Sequence, residues 1–172
     1  MKKIIFGIVV VITLAYVFVY IEHSKKNHSY STPEVALSNV KNPKLDVLKI
    51  IDTKFYENVA YVFFHSAVGE TRNNYLGVGR INKNEYGWRF KEIIGVGNID
   101  NNNSGMASGK DDYIVGFAKK EVDKVRFGNH DAQMITIDNK YMNAFLFHGV
   151  DSDLLGQTDF VYLDTEGNEL PY

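Results

Sequence analysis

The chain has 172 residues, with nineteen Lys and Arg against twenty-one Asp and Glu and a formal net charge of −2. Lysines scattered through so balanced a chain leave no basic footprint for DNA or RNA, which excludes a nucleic-acid role. Cysteine is absent, which excludes disulfides, thiolate metal sites and thiol catalysis. Hydrophobic residues at 45%, with eleven Tyr and eleven Phe, exclude a disordered chain and favour sheets, because aromatic and β-branched side chains suit a pleated, half-buried surface.

From Ile4 to Ile21 run eighteen residues without a charge, IIFGIVVVITLAYVFVYI, thirteen of them Ile, Val, Leu or Phe. As a helix this run is roughly 27 Å long, enough to cross the hydrocarbon of a bilayer with little tilt. Its apolar side chains favour insertion by about 4 to 8 kcal/mol. A cleaved signal peptide has a shorter apolar region and a small-x-small site directly after it. Here the only small pair is Ser29 and Ser31, beyond Lys25 and Lys26. The segment therefore reads as an uncleaved signal anchor, with secretion after cleavage as the alternative. Lys2, Lys3 and the terminal amine place the N-terminus (residues 1–3) inside and the remainder outside, since Lys25 and Lys26 are offset by Glu22. A cysteine-free exported domain also fits a bacterial envelope, where many surface proteins do without disulfides.

Residues 22–32, EHSKKNHSYST, are polar and unpatterned and read as a tether. Thr32-Pro33-Glu34 then predicts a short helix, with Thr32 as N-cap, ended by Asn42-Pro43. Two hairpins follow, 47–53 with 59–66 and 75–82 with 88–96, which predicts an antiparallel meander covered by that helix over 33–97. Residues 98–112, NIDNNNSGMASGKDD, read as a junction loop. Strands over 113–119, 122–127, 132–137, 141–148 and 159–164 predict a small β-sandwich-like half over 113–172. The expected class is mainly β with a short N-terminal helix (α+β), preceded by one transmembrane helix. The order Thr32-Pro33-Glu34-Val35-Ala36-Leu37, a hairpin, Gly87-Trp88, Val122-Asp123-Lys124-Val125 and the closing run from Leu163 to Leu170 resembles small membrane-anchored or secreted proteins of Gram-positive bacteria. That resemblance implies the compartment and the β-rich build and brings no functional residues with it.

The sharpest local pattern is Asp100-x-Asn102-x-Ser104-Gly105 with Asp111 at the twelfth position. Oxygen ligands at those spacings around a turn glycine are what a calcium loop requires, although Asp111 stands where a bidentate glutamate is usual and the flanks read as strands. Asn, Asp, Ser and Gly also simply compose loops. The related segments LGVGRINKN and IGVGNIDNN open no helix, so their glycines read as strand glycines for bulges or close packing rather than phosphate cradles. His65, His130 and His148 lack zinc-site spacing, and the two that end Phe-rich strands read as packed or hydrogen-bonded. Tyr61-Val62-Phe63-Phe64 and Phe145-Leu146-Phe147 read as core, with a binding platform as the alternative. Asp151, Asp153, Asp159, Asp164, Glu166 and Glu169, with no Lys or Arg among them, read as a solvated edge, with an acidic docking face as the alternative. The function expected is non-enzymatic binding of an envelope protein or a small ligand outside the cell. The alternative is an envelope hydrolase using loop carboxylates near Asp100 to Asp112.

Overall fold

Four strands joined by tight turns form the meander, β1 (Val47–Tyr56), β2 (Val59–Ser66), β3 (Tyr75–Asn84) and β4 (Gly87–Asn98), paired antiparallel in the order β1-β2-β3-β4. The computed structural model describes residues 2–40, 46–67, 74–100, 105–109, 113–156 and 158–171. Preceding the meander are helices α1 (Lys2–Asn27) and α2 (Pro33–Ser38). In α2 the Thr32 hydroxyl accepts from the Val35 amide at 3.3 Å and Pro33 occupies the first turn, as the sequence leads one to expect. The expected stop at Asn42-Pro43 lies outside the described residues; the helix ends earlier, capped by Asn39.

A second sheet follows, built of β5 (Met106–Gly109), β6 (Tyr113–Lys119), β9 (Gln133–Ile135) and β10 (Met142–His148) in the order β5-β6-β10-β9. A third has the order β11-β7-β8, from β7 (Lys124–Phe127), β8 (His130–Asp131) and β11 (Phe160–Leu163). Two features depart from expectation. The junction loop contains a strand: Met106 to Gly109 pair with Gly116 to Tyr113. In addition, the expected strand over 132–137 is short, and His130–Asp131 forms a separate two-residue partner for β7.

These elements stack in four layers. On the meander, Ala60, Val62, Phe64 and Ile81 face α2 through Ala36 and Leu37. Tyr61, Phe63, Leu76 and Val78 face the second sheet, meeting Val115, Phe117, Ala144 and Leu146. On the far side of that sheet, Ile114, Phe145 and Phe147 pack against Val125, Phe127 and Phe160 of the third. The meander and the second half thus share one core. Burial on both faces explains why VAYVFFHS and MNAFLFH are almost continuously apolar rather than alternating. Gly116 fits this stack, because a Cβ there would stand 2.5 Å from Cζ of Phe145.

α1 corrects the expected tether, since helix continues through residues 22–27. Glu22 and Lys25 pair at 2.6 Å, Lys25 and Lys26 lie in the last turn, and the Ser29 hydroxyl closes the Lys25 carbonyl at 2.7 Å. The chain beyond is pinned rather than loose. Tyr30 forms a β-bridge with Trp88, each amide donating to the other's carbonyl at 2.8 Å. Gly87, at φ +131°, leaves room for the Tyr30 carbonyl where any Cβ would clash. Among the described residues no helix is long and apolar enough to cross a membrane. The described side chains from Val9 onward run into Glu22, Lys25 and Lys26, while those of Ile4, Ile5 and Ile8 lie outside the description.

Candidate functional site

One cross-strand row of the meander is polar although it faces the sandwich interior. Lys54, Tyr61, Arg80 and Glu92 lie opposite one another on β1, β2, β3 and β4. Arg80 is only 7% exposed and its guanidinium meets the Glu92 carboxylate at 3.3 Å. A buried arginine is tolerable only with such partners. It also hydrogen-bonds the Tyr61 hydroxyl, and Tyr61 reaches His148 Nδ1 at 3.0 Å. Tyr61 donates to Nδ1 when the imidazole proton is on Nε2 and accepts from it when the proton is on Nδ1. Burial pushes the Tyr61 hydroxyl up to about 12, against an opposing pull from Arg80, and burial raises Tyr56 to about 12 as well.

His148 ends β10 and lies over the meander, its ring 4.3 Å from that of Tyr56. From there a cleft of about 290 Å³ opens, lined by Tyr56, His148, Asn129, His130, Asp131 and Gln133 among others. The β7–β8 turn supplies Asn129, following Gly128 at φ +57°. Asp131 bonds Arg126 at 3.0 Å and faces Lys124 at 3.6 Å, and the Arg126 bond comes first among the causes that hold its carboxyl below the usual range. The cleft therefore presents amide and imidazole hydrogen-bonding groups beside aromatic rings, and its single lining carboxylate is held ionised. Such a set is suited to holding a small polar molecule.

Of the sequence-derived candidates, Asp100 is described and half-buried, whereas Asn102, Ser104 and Asp111 of the calcium pattern lie outside the described residues, as does Asp112. Among the described residues no group of three or more acids and histidines is gathered as a metal site would need. His148 is hydrogen-bonded and packed, as its strand-end position implies. Two of the late acids serve local turns: Asp164 accepts from the amides of Glu166 at 2.9 Å and Asn168 at 2.8 Å, and Asp151 from that of Asp153 at 2.8 Å. Sequence reasoning missed the Tyr61–Arg80–Glu92–His148 network. Its available signal was Arg80 within the apolar strand LGVGRIN, a charge that has to find partners if that strand is buried.

Compared with known proteins, the chain matches no family model, no curated protein and no solved structure.

Proposed function

We propose that the chain is a single-pass membrane protein, anchored by residues 4–21 with its N-terminus inside, that presents a β-sandwich binding domain close to the outer membrane surface. The observation carrying this reading is the surface of α1. Its large apolar side chains, among them Phe6, Val11, Leu14, Phe18 and Tyr20, are 64 to 72% exposed, and exposure runs round every face. A helix apolar all round, without a protein partner, belongs in hydrocarbon. The pinned exit supports an anchor over a discarded signal: Ser29, within the small pair a peptidase would need, accepts a hydrogen bond of 3.0 Å from the Asn84 side-chain amide of the domain.

The binding role rests on the Tyr56–His148 cleft, whose groups suit an envelope ligand of small polar chemistry or a polar loop of an envelope protein. Membrane fractionation tests the anchor. Full-length chain should stay in the membrane after alkaline carbonate extraction, with the sandwich open to protease added outside. Recovery of the chain in the medium without residues 1–31 would sink the anchor and establish the secreted alternative. For binding, crosslinking in intact membranes should trap a partner through a photoreactive group at Asn129, and this should be lost in Tyr56→Ala.

A further inference from the structure

On the anchor reading, one of the contacts between α1 and the domain gives the level at which the domain stands above the membrane. The Tyr86 hydroxyl, at the tip of the β3–β4 hairpin, donates to Glu22 Oε2 at 3.1 Å. Glu22 directly follows the last residue of the apolar run, so the hairpin tip stands at the edge of the hydrocarbon. Between α1, α2 and β4 lies a cleft of about 580 Å³, lined by Arg89, His28, Asn27, Asn39, Tyr30 and Phe90 with Ala36 and Val40. Two routes give its height. Asn27 is six residues beyond Ile21, about 9 Å of helix, and Arg89 is three residues along β4 from Tyr86, about 10 Å of strand. The polar layer of one leaflet is about 5 to 7 Å deep, so the cleft opens at its outer boundary, within reach of an extended arginine side chain.

We propose that this cleft takes the phosphate headgroup of an anionic phospholipid, resting on the anchor reading above. The chemistry of the lining selects that ligand. Arg89 is exposed and makes no ion pair among the described residues. Among the described residues no lining side chain is acidic. Asn39 uses one amide N–H on the Val35 carbonyl at 2.9 Å, and Asn27 engages His23 at 2.9 Å, so each keeps a second N–H for an anionic oxygen. Arg89 supplies the planar fork that grips a phosphate through two oxygens. Tyr30, Phe90, Ala36 and Val40 form the apolar wall that the glycerol and upper acyl carbons of a lipid require, and that a free phosphate does not.

The test uses the full chain in nanodiscs of phosphatidylcholine with or without phosphatidylglycerol, after co-flotation with vesicles has established insertion. Native mass spectrometry should show phosphatidylglycerol retained on the protein about fivefold over its share of the disc, the worth of one surface arginine. Arg89→Gln should abolish this enrichment and Arg89→Lys should keep part of it. Arg126→Gln, which alters an arginine of the third sheet, should leave it intact. Equal enrichment in wild type and Arg89→Gln overturns the proposal, as does millimolar inorganic phosphate displacing the bound lipid or matching its thermal stabilisation. Failure to co-float overturns the anchor itself and the headgroup site with it. Co-flotation without enrichment removes only the headgroup site.

Discussion

α1 and β2 are built from similar residues and meet opposite fates. Along α1, twelve large apolar side chains from Phe6 to Ile21 are 40% exposed or more, while in β2 Ala60, Tyr61, Val62, Phe63 and Phe64 are all at 1% or less. β2 is covered because α2 lies on one face of its sheet and the second sheet on the other. Among the described residues, α1 meets the domain at its end through Glu22–Tyr86, and the chain just beyond it through Ser29–Asn84 and Tyr30–Trp88. Apolar composition states that a segment must leave water. It does not state what will take it in.

The largest effect that sharpens this contrast is expected from a matched pair of truncations. Phe63→Ala should destabilise the sandwich by about 3 to 5 kcal/mol, because it leaves a cavity between two sheets. Phe18→Ala should leave sandwich unfolding unchanged and, on the proposed anchor reading, weaken membrane insertion by no more than about 0.6 kcal/mol. Denaturation of the full chain in detergent, followed by Trp88 fluorescence, measures the first. If Phe18→Ala shifted that midpoint as Phe63→Ala does, α1 would be packed on the domain and the contrast would collapse.

Tyr61 gives the next effect. Its folded-state value of about 12 lies above the ordinary 10.0, so its contribution is intact below pH 10 and is lost as pH rises through about 12. At 1.36 kcal/mol per unit the loss is roughly 2.7 kcal/mol. Alkaline titration at 295 nm should show Tyr61 ionising only as near-ultraviolet dichroism disappears. A Tyr61→Phe protein that unfolds at the same alkaline pH removes Tyr61 as the cause.

The smallest effect concerns α2, the layer that α1 lacks. Thr32→Ala deletes the hydrogen bond to the Val35 amide and should cost about 1 kcal/mol. Thermal unfolding that is unchanged, with Thr32→Ser also unchanged, would show that burial of Ala36 and Leu37 holds α2 without its cap.

Much of the local structure was legible in the sequence. The cap at Thr32, both hairpins of the meander and the strands at 113–119 and 141–148 follow from turn residues and apolar runs, and the structure carries them within a few residues. β5 was not legible, because MASG is a short stretch of small residues whose strand exists only through pairing with Tyr113 to Gly116. The helical continuation through Asn27 was hidden by its polar composition, and it is secured by contacts with the β3–β4 hairpin about sixty residues away. The Tyr61–Arg80–His148 network was hidden for the same reason: its members are 19 and 87 residues apart along the chain and become neighbours only across strands and sheets.

By itself the sequence determined which segments are apolar, where the chain turns, and that no thiol or disulfide is available. These follow from the side-chain chemistry of contiguous residues. Tertiary structure decided what covers each apolar face, that the two halves share a core, that the exit from α1 is pinned, and that Arg80, Tyr61 and His148 meet. Those outcomes depend on strand register and layer order, which arise from contacts between residues far apart in the chain.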